Sequence, residues 1–160
     1  MDAVREVYSL LLSRSMRVSF AESCTGGLLS SRLVDIPGAS NVFDESYVTY
    51  SNESKRRLLG VKSETLQKHG AVSEKCALEM ALGALKASGA DYALSVTGIA
   101  GPGGGTPQKP VGMVYIGVAD KRGAEAMRCL FDGDRGQIRR AAADEAYALL
   151  LKRMRGEELN

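Results

Sequence analysis

Ser40, Tyr50 ten positions on and Lys55 five further are residue types that together could do acyl chemistry. They share one stretch, residues 40–55, SNVFDESYVTYSNESK. A serine hydroxyl is a poor nucleophile until a base takes its proton. The chain has a single histidine, His69, which turns attention to lysine as the base. A lysine serves only when neutral, and burial is the usual way to lower its pKa. Arg56 and Arg57 beside it would add like-charge repulsion. A tyrosine hydroxyl near both would relay the proton or hold the lysine. All three residue types are common, and they read equally well as a cap, a core tyrosine and a solvated lysine.

The elements that must place them can be read locally. Residues 43–50 are rich in aromatic and β-branched types and predict a strand. Asn52 then caps a short helix over 53–59 that stops at Gly60. Ser40 therefore precedes a strand, Tyr50 ends it, and Lys55 lies on the first turns of the next helix.

Upstream, Val4, Val7, Tyr8, Leu11 and Leu12 share a face and predict a helix over 2–15. A buried strand over 17–21 leads into AESCTGG, residues 21–27, and a helix over 28–35. Glycines between strand and helix let backbone approach a ligand, and a helix start offers N–H groups to an anion. Ser23, Thr25, Gly26 and Gly27 are thus candidate substrate contacts, with Ser23 and Thr25 as rival nucleophiles. An ordinary tight turn is the alternative.

Downstream, a short helix begins at Ser63 and Gly70 terminates it. Ser73 caps a long helix over 74–88. His69, at a helix end, caps or bonds a loop more readily than it catalyses. A buried strand over 91–97 runs into the glycine- and proline-rich segment 98–112, GIAGPGGGTPQKPVG. Its N–H groups suit an oxyanion or a phosphate, which makes Thr97, Gly98, Gly101, Gly103 and Gly104 candidate binding residues. It lacks the Lys-Ser/Thr ending of a P-loop, which argues against nucleotide hydrolysis by that route. Two strands, 113–119 and 126–131, form a hairpin. A helix over 136–154 follows, with Arg135 and Arg139 on one face at its start. Their guanidiniums suit a phosphate or carboxylate; a solvated basic face is the alternative.

Composition bounds the rest. The 160 residues are 44% hydrophobic and 25% charged, which fits one ordinary domain over 1–160 with a normal core. A net charge of +2 is too near neutral for a nucleic-acid binder. No apolar run is long enough to span a membrane, and the N-terminus lacks a signal-peptide pattern. Cys24, Cys76 and Cys129 are far apart with no CxxC, which argues for reduced, cytoplasmic thiols and against a zinc site or disulfide framework. No metal or cofactor is expected. Whether copies form a homo-oligomer is left open. Helices alternating with strands, then a hairpin, predict an α/β fold: a three-layer α/β/α sandwich around a mixed five-stranded sheet. Ligands in such sheets bind beyond the strand carboxyl ends.

Taken together, AESCTGG, VTYSNESKRRLLGV, HGAVS, SVTGIAGPGGGTPQKPVGMVYIG and FDGDR with Arg139 resemble the C-terminal domain of the CinA family. The resemblance runs from about residue 4 to 152. It implies a free-standing form without the larger N-terminal domain of full CinA proteins. It further implies deamidation of nicotinamide mononucleotide, a small nucleotide substrate, to nicotinate mononucleotide and ammonia. The family's Ser-x9-Tyr-x4-Lys arrangement would assign catalysis to Ser40, Tyr50 and Lys55, and its GDR arginine would assign substrate contact to Arg135. The rival reading is a non-catalytic nucleotide-binding regulatory module.

Overall fold

The computed structural model describes residues 2–159. Five strands, β1 (Val18–Glu22), β2 (Tyr47–Val48), β3 (Tyr92–Gly98), β4 (Met113–Asp120) and β5 (Gly123–Leu130), form one sheet in the order β2-β1-β3-β4-β5. β1 is parallel to β2 and β3, whereas β4 is antiparallel to β3 and β5. The helices are α1 (Ala3–Ser13), α2 (Leu28–Val34), α3 (Asn52–Leu59), α4 (Ser63–His69), α5 (Glu74–Ser88) and α6 (Arg135–Arg155), with a 3-10 turn at Ala39–Asn41. This is the expected three-layer arrangement around a mixed sheet.

Every residue of β1 is buried, because helices cover both of its faces. Val18 and Phe20 pack with Leu11, Leu29, Leu33 and Tyr147, on the side of α1, α2 and α6. Ala21 and Ala93 point the other way, onto Leu59, Cys76 and Met80 of α3 and α5. That second interface is tight. Ser95 Oγ donates to Ala77 O at 2.6 Å. A Cβ on Gly83 would lie 2.0 Å from Leu59 O, so only glycine there lets the end of α3 rest on α5. This contact fixes the depth of the helix that carries Lys55.

Of the boundaries that differ from the sequence reading, three bear on the site and the hairpin. The strand expected over 43–50 is reduced to Tyr47–Val48; Phe43 makes only an isolated bridge to Val18. The cap of α3 is Ser51, whose hydroxyl accepts from Ser54 N at 3.1 Å. β5 starts at Gly123, not 126, because Asp120 closes the turn by accepting from Arg122 N at 2.8 Å.

Asp120 also joins the hairpin to the last helix. It is 6% exposed and accepts from Arg122 at 2.6 Å and from Arg153 at 2.9 Å. Burial alone would push its carboxyl up, but Arg153 and Arg122 outweigh burial and hold it well below the usual carboxylate range. Its stabilisation is therefore present above the unfolded pKa of about 3.9 and is lost as pH falls below it. Asp120→Asn is expected to cost about 2–3 kcal/mol at pH 7, the scale of hydrogen bonds to charged groups. Urea midpoints should show that difference shrinking at pH 3.

No helix among the described residues is long and apolar enough to cross a membrane.

Candidate active site

β1 ends where its chemistry begins. Ser23 N–H still donates to Val96 O at 2.9 Å, so β1–β3 pairing extends one residue past Glu22 and fixes the Ser23 backbone. Alternation puts the Ser23 side chain on the α3/α5 side. There it meets Lys55, which is 1% exposed. Lys55 Nζ lies 2.9 Å from Ser23 Oγ and 2.7 Å from Thr49 O. A neutral amine has two N–H groups and one lone pair. Donation to the Thr49 carbonyl leaves the lone pair free to take the Ser23 proton.

The electrostatics favour that neutral form. Burial lowers the Lys55 pKa, and the nearby Cys76 and Cys24 thiols oppose the shift. Arg56 and Arg57, expected to add repulsion, are exposed, and Arg56 pairs with Glu53 at 2.6 Å. Burial pushes the Cys24 and Cys76 thiols up to about 11, so roughly one in 10⁴ is ionised at pH 7. Cys24 therefore adjoins Ser23 as an inert neighbour.

Ser23 and Lys55 open into a cavity of ≈ 300 Å³ at the carboxyl ends of β1 and β3. Cys24, Tyr50, Thr97, Gly98, Gly101, Gly103, Gly104 and Arg135 also line it. Thr97 Oγ1 donates to Ala71 O at 2.9 Å and holds the 71–72 wall. Arg135 bridges the mouth, donating to Gly101 O at 2.7 Å and to the Tyr50 hydroxyl at 3.1 Å. Among the described residues, Ala100, Gly101, Gly103 and Gly104 N–H donate to no backbone oxygen, so this loop carries free donors. No three His, Cys, Asp or Glu side chains among the described residues are grouped to hold a metal. A larger groove of ≈ 550 Å³ at the other end of the sheet contains Asp120, Arg122 and Arg153, where Asp120 pairs with both arginines and Arg153 also with Glu125.

Ser40 is elsewhere. It is exposed on the 3-10 turn, and its carbonyl accepts from Arg17 Nη1 at 3.3 Å. Val42 O accepts from Val18 N, at the start of β1. The five residues of β1 therefore separate Ser40 from Ser23 by about 15 Å. The Ser40–Tyr50–Lys55 grouping is corrected accordingly: Lys55 pairs with Ser23. Tyr50 is 65% exposed, and its hydroxyl meets Arg135, so it flanks the mouth and relays no proton between Ser23 and Lys55.

The glycine turn after Ser23 also differs from expectation. The fully buried Glu22 carboxylate accepts from Leu29 N at 2.9 Å and from Ser30 N at 3.3 Å. Those N–H groups are no longer open to an anion. Gly26 N–H donates to Ser23 O, and Thr25, Gly26 and Gly27 do not line the cavity. Arg139, expected to meet a phosphate or carboxylate, holds the Cys24 and Thr25 carbonyls instead. His69 lies outside the cavity, with its carbonyl bonded to Lys109 Nζ.

The CinA C-terminal domain family model matches residues 2–154. The chain belongs to this family. It is 56% identical over 145 residues to a CinA-like protein of Endomicrobium trichonymphae, covering 91% of this chain and 34% of that protein. A CinA-like protein of Chlorobaculum tepidum is 55% identical over 157 residues, with 95% and 37% covered. The chain thus spans about a third of the length of these curated relatives. Among solved structures it is similar to the competence/damage inducible protein CihA from Agrobacterium tumefaciens, with a TM-score of 0.91, 44% identity, and 93% of this chain and 92% of that one covered. A CinA superfamily protein from Klebsiella pneumoniae gives a TM-score of 0.92 at 37% identity, with 96% of each chain covered.

In this CinA domain the sheet explains the site's assembly. β1, β2 and β3 run parallel, so the segments leaving their carboxyl ends converge. Those segments supply Ser23, Tyr50 and the 98–104 loop, and α3 then returns Lys55 beneath them.

Proposed function

We propose that this CinA domain is an amidase that converts nicotinamide mononucleotide to nicotinate mononucleotide and ammonia, with Ser23 as nucleophile and Lys55 as base. The observation that carries the reading is the 2.9 Å contact between buried Lys55 Nζ and Ser23 Oγ at the floor of a cavity. The family resemblance supplies the substrate. A cavity of ≈ 300 Å³ is at the small end of the range for ligand sites, in keeping with a mononucleotide partly open to solvent.

In the first step Ser23 Oγ attacks the carboxamide carbon and Lys55 takes its proton. The carbonyl oxygen becomes an oxyanion, which free N–H groups of the glycine loop stabilise; each such donor is worth roughly 10²–10³ in rate. The C–N bond then breaks, and Lys55 returns its proton to the leaving ammonia. A nicotinoyl ester on Ser23 remains. Water, deprotonated by neutral Lys55, attacks this ester, and Ser23 Oγ leaves with the proton. The carboxylic acid so formed gives its proton to solvent and leaves as the carboxylate.

Arg135 suits the phosphate, since its guanidinium is at the mouth and away from the Ser23–Lys55 pair. Binding made equally in ground and transition states appears in KM and not in kcat. Arg135→Ala is therefore expected to raise KM about tenfold or more with kcat little changed. Steady-state kinetics would place Arg135 at the reacting centre if kcat fell alone.

The deciding experiment incubates purified protein with nicotinamide mononucleotide and measures ammonia and nicotinate mononucleotide in equal amounts. Binding of the nucleotide without either product would favour a regulatory binding module, which has no use for a desolvated lysine on a serine.

A further inference from the structure

Arg139 belongs to α6, far in sequence from the nucleophile, yet it is tied to the two residues that follow it. Its Nε donates to Cys24 O at 3.0 Å and its Nη2 to Thr25 O at 2.8 Å. The side chain does not line the cavity. We propose that Arg139 is a positioning residue for Ser23, holding the peptide units after the nucleophile without touching substrate. The inference rests on the serine amidase reading above.

The turn needs such a holder. Gly26 and Gly27 have φ of +59° and +102°, a left-handed backbone that glycine adopts at little steric cost but does not enforce. Two internal bonds close the turn, Gly26 N–H to Ser23 O at 3.1 Å and Leu28 N–H to Thr25 O at 3.2 Å. Glu22 secures the far side by accepting from Leu29 and Ser30 N–H. That leaves the Cys24 carbonyl without a bond inside the turn; it and the Thr25 carbonyl, which also holds Leu28 N–H, both accept from Arg139 of α6. One planar guanidinium engages the two together, which an ammonium's point charge does not reproduce. Because a trans peptide sets N–H opposite C=O, fixing the Cys24 carbonyl also fixes the direction of Thr25 N–H. Gly26 marks how close the fit is: a Cβ there would be 3.5 Å from Arg139 Nη2. β3 holds the N–H side of Ser23 and this turn holds its carbonyl side, so the Arg139-held peptides set the second half of the frame that aims Oγ at Lys55 Nζ. A displacement of about 1 Å can cost about 10²-fold in rate.

The test compares Arg139→Ala, Arg139→Lys and Arg139→Gln with the wild-type chain. The expected result is a kcat lowered about 10²-fold with KM unchanged. Lysine should restore little, and a low, non-denaturing concentration of guanidinium should partly restore kcat in the alanine variant. Hydrogen exchange read by mass spectrometry over residues 23–28, without substrate, should be faster in Arg139→Ala and slow again with guanidinium. If the alanine variant does not fold, lysine and glutamine carry the same comparison. A raised KM with kcat retained would overturn the proposal and make Arg139 a binding residue. Full activity in Arg139→Lys, or unchanged exchange over 23–28, would also overturn it. Failure of the wild-type chain to release ammonia would sink the amidase reading alone, since the exchange measurement then decides whether Arg139 holds the turn.

Discussion

Ser23→Ala is expected to abolish ammonia release, with kcat lowered on the order of 10⁶-fold, the scale seen when a hydrolase loses its serine nucleophile. Ser40→Ala is expected to leave kcat and KM near wild type. The contrast follows from position. Ser23 Oγ is 2.9 Å from the Lys55 amine, whereas Ser40 is exposed on a turn at the opposite end of β1. Removing one hydroxyl beside the cavity should disturb the fold little, because the Ser23 backbone is held by β3 through Val96 O. Ammonia release by both purified variants settles the matter. Normal turnover in Ser23→Ala would defeat the assignment, and loss of turnover in Ser40→Ala would reinstate the stretch 40–55.

Lys55 should give the second large effect, visible in both activity and stability. An ordinary lysine, with a pKa of about 10.4, is almost wholly charged at pH 7 and cannot accept a proton. Burial lowers the Lys55 value, so kcat/KM should rise with pH through a group below that of free lysine. Lys55→Arg should be as inactive as Lys55→Met, since arginine stays protonated; substantial activity in the arginine variant would remove Lys55 as base.

Stability supplies an independent check. Between the depressed folded pKa and about 10.4 the unfolded chain binds more protons at this site, so stability rises with pH across that window. The Cys24 and Cys76 thiols, pushed up to about 11, work in the opposite sense above the unfolded thiol pKa. The readable quantity is therefore the slope difference between wild type and Lys55→Met. The variant should lack the rise that Lys55 supplies. Equal slopes in urea titrations from pH 7 to 10 would mean that the amine is not desolvated.

Much of the scaffold could be read locally. Gly60 and Gly70 end their helices, Ser73 caps α5 with its hydroxyl on Cys76 N, and the strand before the glycine loop is fully buried up to Thr97. These are short-range signals, made by side chains and backbone within a few residues of each other. Lys55, Arg135 and the 98–104 loop were identified as site residues because their types carried a chemical rationale, and all of them border the cavity.

Ser23 was legible only as a rival. The signal that favours it was already present in the order of elements. A residue before a parallel strand and a residue after it lie at opposite ends of the sheet. Ser40 and Tyr50 flank β2, so they could not share a cleft, while Ser23 and Tyr50 both follow parallel strands and could.

Sequence alone determined the helices, the buried strands β1 and β3 and the class of fold, because hydrophobic period, caps and glycine breaks act over a few residues. It also marked Lys55 and the glycine loop as candidates for base and donors. Only the tertiary structure decided which serine meets the lysine, since that contact joins residues 32 apart through strand register and the depth of α3 on Gly83. It likewise decided that Glu22 occupies the N–H groups at the start of α2 and that Arg139 holds carbonyls rather than an anion. A buried polar group must find a partner, and which partner it finds depends on chain segments that packing brings together from over a hundred residues away.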